Sequence, residues 1–114
     1  MWQNASGEKV KFATIDTAAT SSVLVAADAN RAIKVLSYAF VTQADLGVTF
    51  FSLGTTPTKK TGIMYCVANG GIASPVADPK VSPLFQTNAG ESLCLSSSST
   101  IYVGGHLSYY LESV

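Results

Sequence analysis

Charged side chains of both signs are scarce in this sequence. Seven basic and seven acidic residues amount to 12% of the 114 residues and cancel to a net charge of zero, whereas charged residues form about 25% of a typical soluble domain. Proteins that bind nucleic acid or anionic membranes carry clustered basic residues, and the only adjacent pair here is Lys59 and Lys60. The sequence therefore predicts neither a nucleic-acid partner nor a membrane partner.

Long apolar runs are also missing. No stretch approaches the ~20 apolar residues that cross a bilayer, and the N-terminal sequence MWQNASGEKVKF lacks the apolar core of a secretory signal. We therefore expect synthesis and folding in a cytosol. Hydrophobic residues nevertheless make up 47% of the chain and the mean hydropathy is +0.30. This is more apolar surface than a small monomer easily buries, which favours contact between copies.

Residues that carry catalysis or bind metals are few. His106 is the single histidine, and Cys66 and Cys94 match no CxxC spacing, so we expect two buried, reduced thiols. The serines at 96–99 precede His106 but form no GxSxG elbow, and a hydrolase also needs a positioned carboxylate and an oxyanion hole. The acids are isolated, and a cupin-type metal site needs several histidines. We predict no enzymatic activity, no metal and no cofactor, with a Ser–His hydrolase as a remote alternative.

Short β-prone runs separated by turn residues fill the chain. Strands are predicted at 10–16, 22–27, 32–42, 48–53, 63–68, 84–87, 92–96 and 100–112. About eight antiparallel strands are typical of a jelly roll. The predicted fold is an all-β, single-domain, jelly-roll-like β-sandwich at residues 10–114, preceded by an extended N-terminal arm at residues 1–9. A helix after Asp28, in the stretch AADANRAIKVLSYAF, remains the alternative for one strand.

In several predicted strands, the residues at odd positions and those at even positions both include apolar side chains, which indicates a second apolar surface. In the strand at 32–42, one phase contains Ile33, Val35, Ala39 and Val41, and the other contains Leu36, Tyr38 and Phe40. Phe50 and Phe51 also point to opposite faces, as do Met64 and Tyr65. Since a two-layer sandwich buries one face of each strand, the second face predicts self-association. The alternative is a cover formed by the loop at 54–62 or the segment at 75–83.

The last predicted strand alternates clearly. Ile101, Val103, Leu107, Tyr109 and Leu111 share one face, whereas Tyr102, His106, Ser108 and Tyr110 share the other. Gly104 and Gly105 indicate a bulge or a close backbone approach. The serines before this strand are predicted at a hairpin apex, where hydroxyl side chains bond to nearby backbone.

Four stretches carry a family resemblance across about residues 13–112. They are ATIDTAATSSVLVAADANRAIKVLSYAFV, GVTFFSLGTTPTKKTG, NGGIASPV and LFQTNAGESLCLSSSSTIYVGGHLSYYLE, with the phrase AGESLCL followed by GHLSYY. In its order of strands and turns the chain resembles the small cement, or capsid decoration, proteins of tailed bacteriophages. The resemblance implies a jelly-roll or β-sandwich protein without enzymatic activity, assembled in the host cytoplasm. It also implies a homotrimer that bridges neighbouring capsomers of the major capsid protein on the virion surface.

Candidate contact residues follow from the apolar faces and the arm. They are Trp2, Leu36, Tyr38, Phe40, Tyr102 and Tyr110, with Trp2 as an aromatic anchor on a neighbouring subunit or capsid protein. The alternative function is a receptor- or glycan-binding module of a phage fibre or spike. In that case Tyr38, Tyr102, Tyr109 and Tyr110 would stack on sugar rings.

Overall fold

The computed structural model describes residues 9–78 and 82–113, and within them the chain forms ten β-strands and no helix. In chain order the strands are β1 (Lys11–Thr17), β2 (Ser21–Val25), β3 (Arg31–Thr42), β4 (Leu46–Leu53), β5 (Pro57–Lys59), β6 (Met64–Cys66), β7 (Gly71–Ala73), β8 (Phe85–Gln86), β9 (Ser92–Ser97) and β10 (Val103–Ser113). The stretch after Asp28 is a turn followed by strand β3, so the helical alternative is wrong. β-branched and aromatic residues in β3 explain this preference.

The strands form two antiparallel sheets packed face to face. Sheet 1 has the order β1-β10-β3, with β7 and β8 both paired to the remaining edge of β3. Sheet 2 has the order β2-β9-β4, with β5 and β6 both paired to the remaining edge of β4. The chain passes repeatedly from one sheet to the other, which is the connectivity of a jelly roll. The predicted all-β sandwich is therefore confirmed.

Ten strands occupy eight positions in this sandwich. β5 and β6 contact different halves of β4, and β7 and β8 contact different halves of β3, so each pair fills one strand position. The eight predicted strands are present with bounds shifted by a few residues. β5 and β7 were not predicted, because three-residue segments containing Pro, Lys or Gly have little β-propensity of their own.

A β-bulge in β3 corrects the predicted faces of this strand. Ser37 pairs with Ser108 and Val35 pairs with the next residue, Tyr109, so Leu36 is the extra residue. A bulge shifts the alternation by one. Ile33 and Val35 before it, and Tyr38 and Phe40 after it, consequently all belong to the core. The predicted division of the β3 residues between its two faces is therefore wrong, although Val41 on the outer side is an exposed apolar residue, at 52%.

Two predicted hairpins are connections between the sheets instead. The turn at residues 88–91 joins β8 of sheet 1 to β9 of sheet 2, and the serine segment after β9 leads to β10 of sheet 1. The predicted strands and turns are present, but β9 does not pair with the strand before it or the strand after it, as the two hairpins would require. Sequence distance alone favours pairing of neighbouring strands, whereas the jelly roll pairs β9 with β2 and β4.

Candidate interaction surface

Tyr38 and Phe40, two predicted contact residues, lie in the aromatic centre of the core. The Tyr38 ring lies 5.0 Å from that of Phe50, and the Phe40 and Phe50 rings lie 6.1 Å apart, measured between centroids. Phe85 packs against Phe50 at 5.5 Å. These rings hold the two sheets together, since Phe50 belongs to sheet 2 and the others to sheet 1. They are therefore not available for another copy in this conformation.

Leu36 and Tyr110 are also buried, although neither belongs to the central core cluster. The backbone nitrogen of Ala77 donates to the Leu36 carbonyl oxygen, so the connection between β7 and β8 follows the edge of β3 here. Lys34 forms an ion pair with Glu112, and its ammonium lies 5.9 Å from the centre of the Tyr110 ring. Burial raises the pKa of Tyr110, against the opposing effect of Lys34.

Tyr102 is the most exposed of the predicted contact residues that the structure describes, at 43%. A hydrogen bond to Asp16 is the main cause that raises its pKa, with smaller contributions from burial and the negative charge of Asp16. Trp2 and nearly all of the predicted N-terminal arm lie outside the described residues. The roles assigned to these six residues as partner contacts remain predictions.

His106 and the serine segment lie on different sheets. His106 is exposed on sheet 1, between Thr14 of β1 and Ala39 of β3. The serines belong to the end of sheet 2 and bond to backbone: Ser98 Oγ accepts from the Gly47 nitrogen at 3.0 Å, and Ser97 Oγ donates to the Ser99 carbonyl oxygen at 3.0 Å. The predicted local bonding is confirmed at Ser97, whereas Ser98 bonds to the backbone of Gly47, which is distant in sequence. Among the described residues, no hydrogen bond joins them to His106.

The cysteines and acids do not form a cluster. Cys66 and Cys94 are both buried and unpaired, as predicted, and burial raises the pKa of the Cys66 thiol. Within the described ranges, no group of three or more His, Cys, Asp or Glu side chains could hold a metal ion.

Within those same ranges, no helix has the length and hydropathy needed to cross a bilayer.

An apolar surface covers the outer side of sheet 2, which we call the apolar face. Its exposed members are Val23, Leu53, Ile63, Tyr65 and Val67, and its centre is Phe51, which is 7% exposed. Phe51 pairs with Cys94 of β9, which in turn pairs with Val23 of β2. Tyr65 and Val67 are the most exposed members, at 79% and 71%. The larger group of exposed apolar residues described thus lies on sheet 2, while Phe12 and Val41 are exposed on sheet 1.

A groove of about 470 Å³ crosses the apolar face. One side is apolar and the other carries hydroxyl groups; the lining consists of Ser21, Gly47, Thr49, Phe51, Leu53, Pro57, Lys59, Ile63, Ser96 and Ser98. Gly47 allows the side chains of Ile63 and Tyr65 to lie close over β4, because a Cβ there would lie 2.8 Å from Ile63 Cγ2 and 3.2 Å from Tyr65 Cε1. The volume is within the range of about 300–1,000 Å³ found for ligand pockets.

Part of the apolar face could be predicted from the sequence. The opposite orientations expected for Phe50 and Phe51, and for Met64 and Tyr65, are confirmed, since Phe50 and Met64 face the core. Val23, Ile63 and Val67 were missed as surface residues. Each lies in or beside a short strand, where the alternation is too brief to separate inner from outer positions.

The fold and this surface define a class of protein, a jelly-roll β-sandwich with an apolar outer face. A scan against protein-family models, a search of curated proteins and a search of solved structures each found no match.

Proposed function

We propose that this chain is a capsid decoration, or cement, protein of a virus: a non-enzymatic structural protein that self-associates as a trimer and bridges neighbouring capsomers on the outer shell. The observation that carries the proposal is the apolar face of sheet 2. Contiguous exposed apolar surface on a small soluble domain marks an interaction site. Tyr65 and Val67, the most exposed members, are free of core packing and available to a partner.

The composition supports a structural role. The net charge is zero, so copies do not repel one another as they accumulate on a surface. A decoration protein acts through many identical weak contacts, and multiplicity raises the total binding strength without any reactive group. The proposed partners are further copies of this chain and the major capsid protein. The proposed place of action is the capsid surface, after assembly in the host cytoplasm, and the role needs no cofactor.

The viral context derives from the resemblance of the sequence to phage cement proteins. The jelly-roll order of strands agrees with that resemblance but occurs in many unrelated proteins. The self-association therefore has its support in the apolar face, and the capsid as partner has its support in the resemblance.

Two measurements test this function. Light scattering of the purified chain should give three times the protomer mass of 11.9 kDa. Quantitative mass spectrometry of particles that contain the chain should give copy numbers in fixed ratio to the shell protein. A monomer across the micromolar range would contradict self-association, and a few copies per particle would contradict a cement role.

A second candidate function is receptor or glycan binding on sheet 1. Its support is a shallow hollow of about 400 Å³ whose lining includes Gly71, Gly104 and His106. Tyr102 borders it, because a Cβ on Gly104 would lie 2.9 Å from the Tyr102 ring and hydroxyl. A tyrosine beside a flat, small-residue surface is suited to stacking on a sugar ring. Glycan-array binding that Tyr102→Ala abolishes would favour this function, and absence of binding would remove it.

A further inference from the structure

We propose that the Tyr65 side chain of one copy occupies the sheet 2 groove of another copy. This inference rests on the proposed self-association and specifies the contact that produces it. It assigns the two parts of the apolar face different roles. The exposed residues of β6 and its flank form a ridge, and the groove beside them receives the ridge of the neighbouring copy.

The Tyr65 ring does not fill the groove of its own copy. It lies against Gly47 at the groove's border, with its Cε1 and Cδ1 atoms 3.2 and 3.4 Å from the position of a Gly47 Cβ. From there the side chain is 79% exposed, the largest exposed fraction among the large hydrophobic residues described. A tyrosine side chain has only two rotatable torsions, so it loses little conformational freedom when it binds.

The groove matches a tyrosine in chemistry as well as in size. Phe51, Leu53 and Ile63 supply an apolar wall for the ring. Ser21, Ser96 and Ser98 supply hydroxyl groups on the opposite side, where a phenol could exchange hydrogen bonds. Tyrosines seated in pockets with one apolar and one polar side are frequent interface hot spots. Among the described residues that line the groove, Lys59 alone is charged.

The area of sheet 2 fits a small contact between copies. β4 contains eight residues, which gives a length of about 25 Å, and four strand positions give a width of about 20 Å. Each face therefore offers about 500 Å², and in a trimer it is divided between two neighbours, so each single contact is small and its strength depends on a hot-spot residue. The charge balance adds no repulsion between copies, because the net charge is zero.

Sedimentation equilibrium of the wild-type chain, Tyr65→Ser and Phe12→Ser tests this contact. Phe12 is the matched control, since it is 77% exposed but lies on β1 of sheet 1. We expect the wild type to assemble and Tyr65→Ser to weaken its association constant about thirtyfold, the effect of a hot-spot residue. Phe12→Ser should stay within about threefold of the wild type. Far-UV circular dichroism verifies that both exposed-site variants remain folded.

The outcomes separate the contact from the function. If the wild type assembles and Tyr65→Ser assembles equally well, Tyr65 is not the contact, while self-association stands. If the wild type is a monomer, the proposed self-association fails as well.

Photo-cross-linking gives a second, independent measurement. A chain with photoreactive p-benzoylphenylalanine in place of Tyr65 keeps an aromatic ring at this position, and it should form a covalent dimer through the Ser96 peptide of another copy, because Ser96 lines the groove. The same group in place of Phe12 should not label that peptide, because Phe12 lies on β1 of sheet 1. Equal labelling from both positions, or no covalent dimer from position 65, overturns the inference.

Discussion

Gly105 is the position of β10 at which the backbone leaves least room for a side chain. A Cβ there would lie 2.0 Å from the carbonyl oxygen of Ala39 and 2.6 Å from the Cα of Phe40, both on β3. Real Cβ atoms do not approach backbone so closely, so the two strands would have to separate. The close backbone approach predicted from the Gly104–Gly105 pair is therefore present, whereas the bulge lies in β3 at Leu36.

Replacing Gly105 by alanine should destabilise the protein strongly. We expect Gly105→Ala to lower the free energy of unfolding by more than about 2 kcal/mol, since overpacking forces backbone shifts. Urea denaturation followed by circular dichroism measures this. Gly62→Ala is the matched control, because a Cβ at Gly62 meets nothing within 4 Å, and it should change stability by less than about 0.5 kcal/mol. Equal stabilities of the two variants would contradict the argument.

Ser52 joins the turn between β8 and β9 to β4. Its buried hydroxyl donates to Glu91 Oε1 at 2.7 Å and accepts from the Asn88 backbone nitrogen at 3.1 Å. Ser52→Ala removes the hydroxyl and with it both hydrogen bonds, so the Asn88 N–H and Glu91 lose this partner, and we expect a loss of about 1–3 kcal/mol in the free energy of unfolding. Ser99→Ala, an exposed serine outside the groove, should lose less than about 0.5 kcal/mol. The prediction fails if urea denaturation gives the two variants the same stability.

At the scale of elements, the bulge at Leu36 determines which side of β3 enters the core. Removal of one residue at a bulge restores a regular ladder, and the flanking residues keep their faces. Removal of one residue elsewhere in the strand moves every later side chain to the opposite face. The bulge is therefore the one place where β3 tolerates a shorter chain.

Single-residue deletions in β3 test this role. A chain lacking Leu36 should fold with reduced stability, because Val35 and Tyr38 would keep their inward orientation. A chain lacking Ala39 should not fold, because Phe40 and Thr42, which are 2% and 0% exposed, would be turned outward. Near-ultraviolet circular dichroism and amide dispersion in NMR spectra distinguish the two. If the chain lacking Ala39 folds, or if neither deletion folds, the bulge does not determine which side chains of β3 face the core.

The strands of this fold could be predicted from sequence, and the pairing could not. Alternation and turn residues place β1, β3, β4 and β10 correctly because each is long enough to show a period of two. Pairing depends on which faces pack together across the two sheets, a long-range property. For the same reason the bulge was invisible: Leu36 extends an apolar pattern and leaves no mark of its own in the sequence.

The sequence predicted a second apolar surface but only part of its location. It was inferred from β3, where the bulge moves Tyr38 and Phe40 to the core side, and from Phe51 and Tyr65, which do face outward on sheet 2. These two residues follow core residues directly, and such adjacent pairs of large apolar residues cannot both point inward in a regular strand. At Phe51 and Tyr65 this local rule was sufficient.

For the whole molecule, the titration of buried groups predicts a weaker fold at alkaline pH. Burial raises the pKa of Cys66 above the usual 9.0 of a thiol. It also raises the pKa values of Tyr109 and Tyr110 above the usual 10.0 of a phenol. Below these ordinary values the groups are protonated in both the folded and the unfolded chain. Above them the unfolded chain ionises first, so each group's contribution to stability decreases as pH rises towards its folded pKa.

Urea midpoints measured from about pH 7 to about pH 10.5 should therefore fall above about pH 9, where unfolded thiols and phenols ionise. Cys66→Ala removes the thiol, so its midpoint should fall less steeply than that of the wild type between about pH 8.5 and about pH 9.5. Ser21→Ala, which removes no titrating group, should follow the wild-type curve. A midpoint that rises over this range would mean that the folded chain favours the ionised forms. Because these groups lie on both sheets, the alkaline loss should be cooperative and appear at the same pH by far-UV circular dichroism and by hydrodynamic radius.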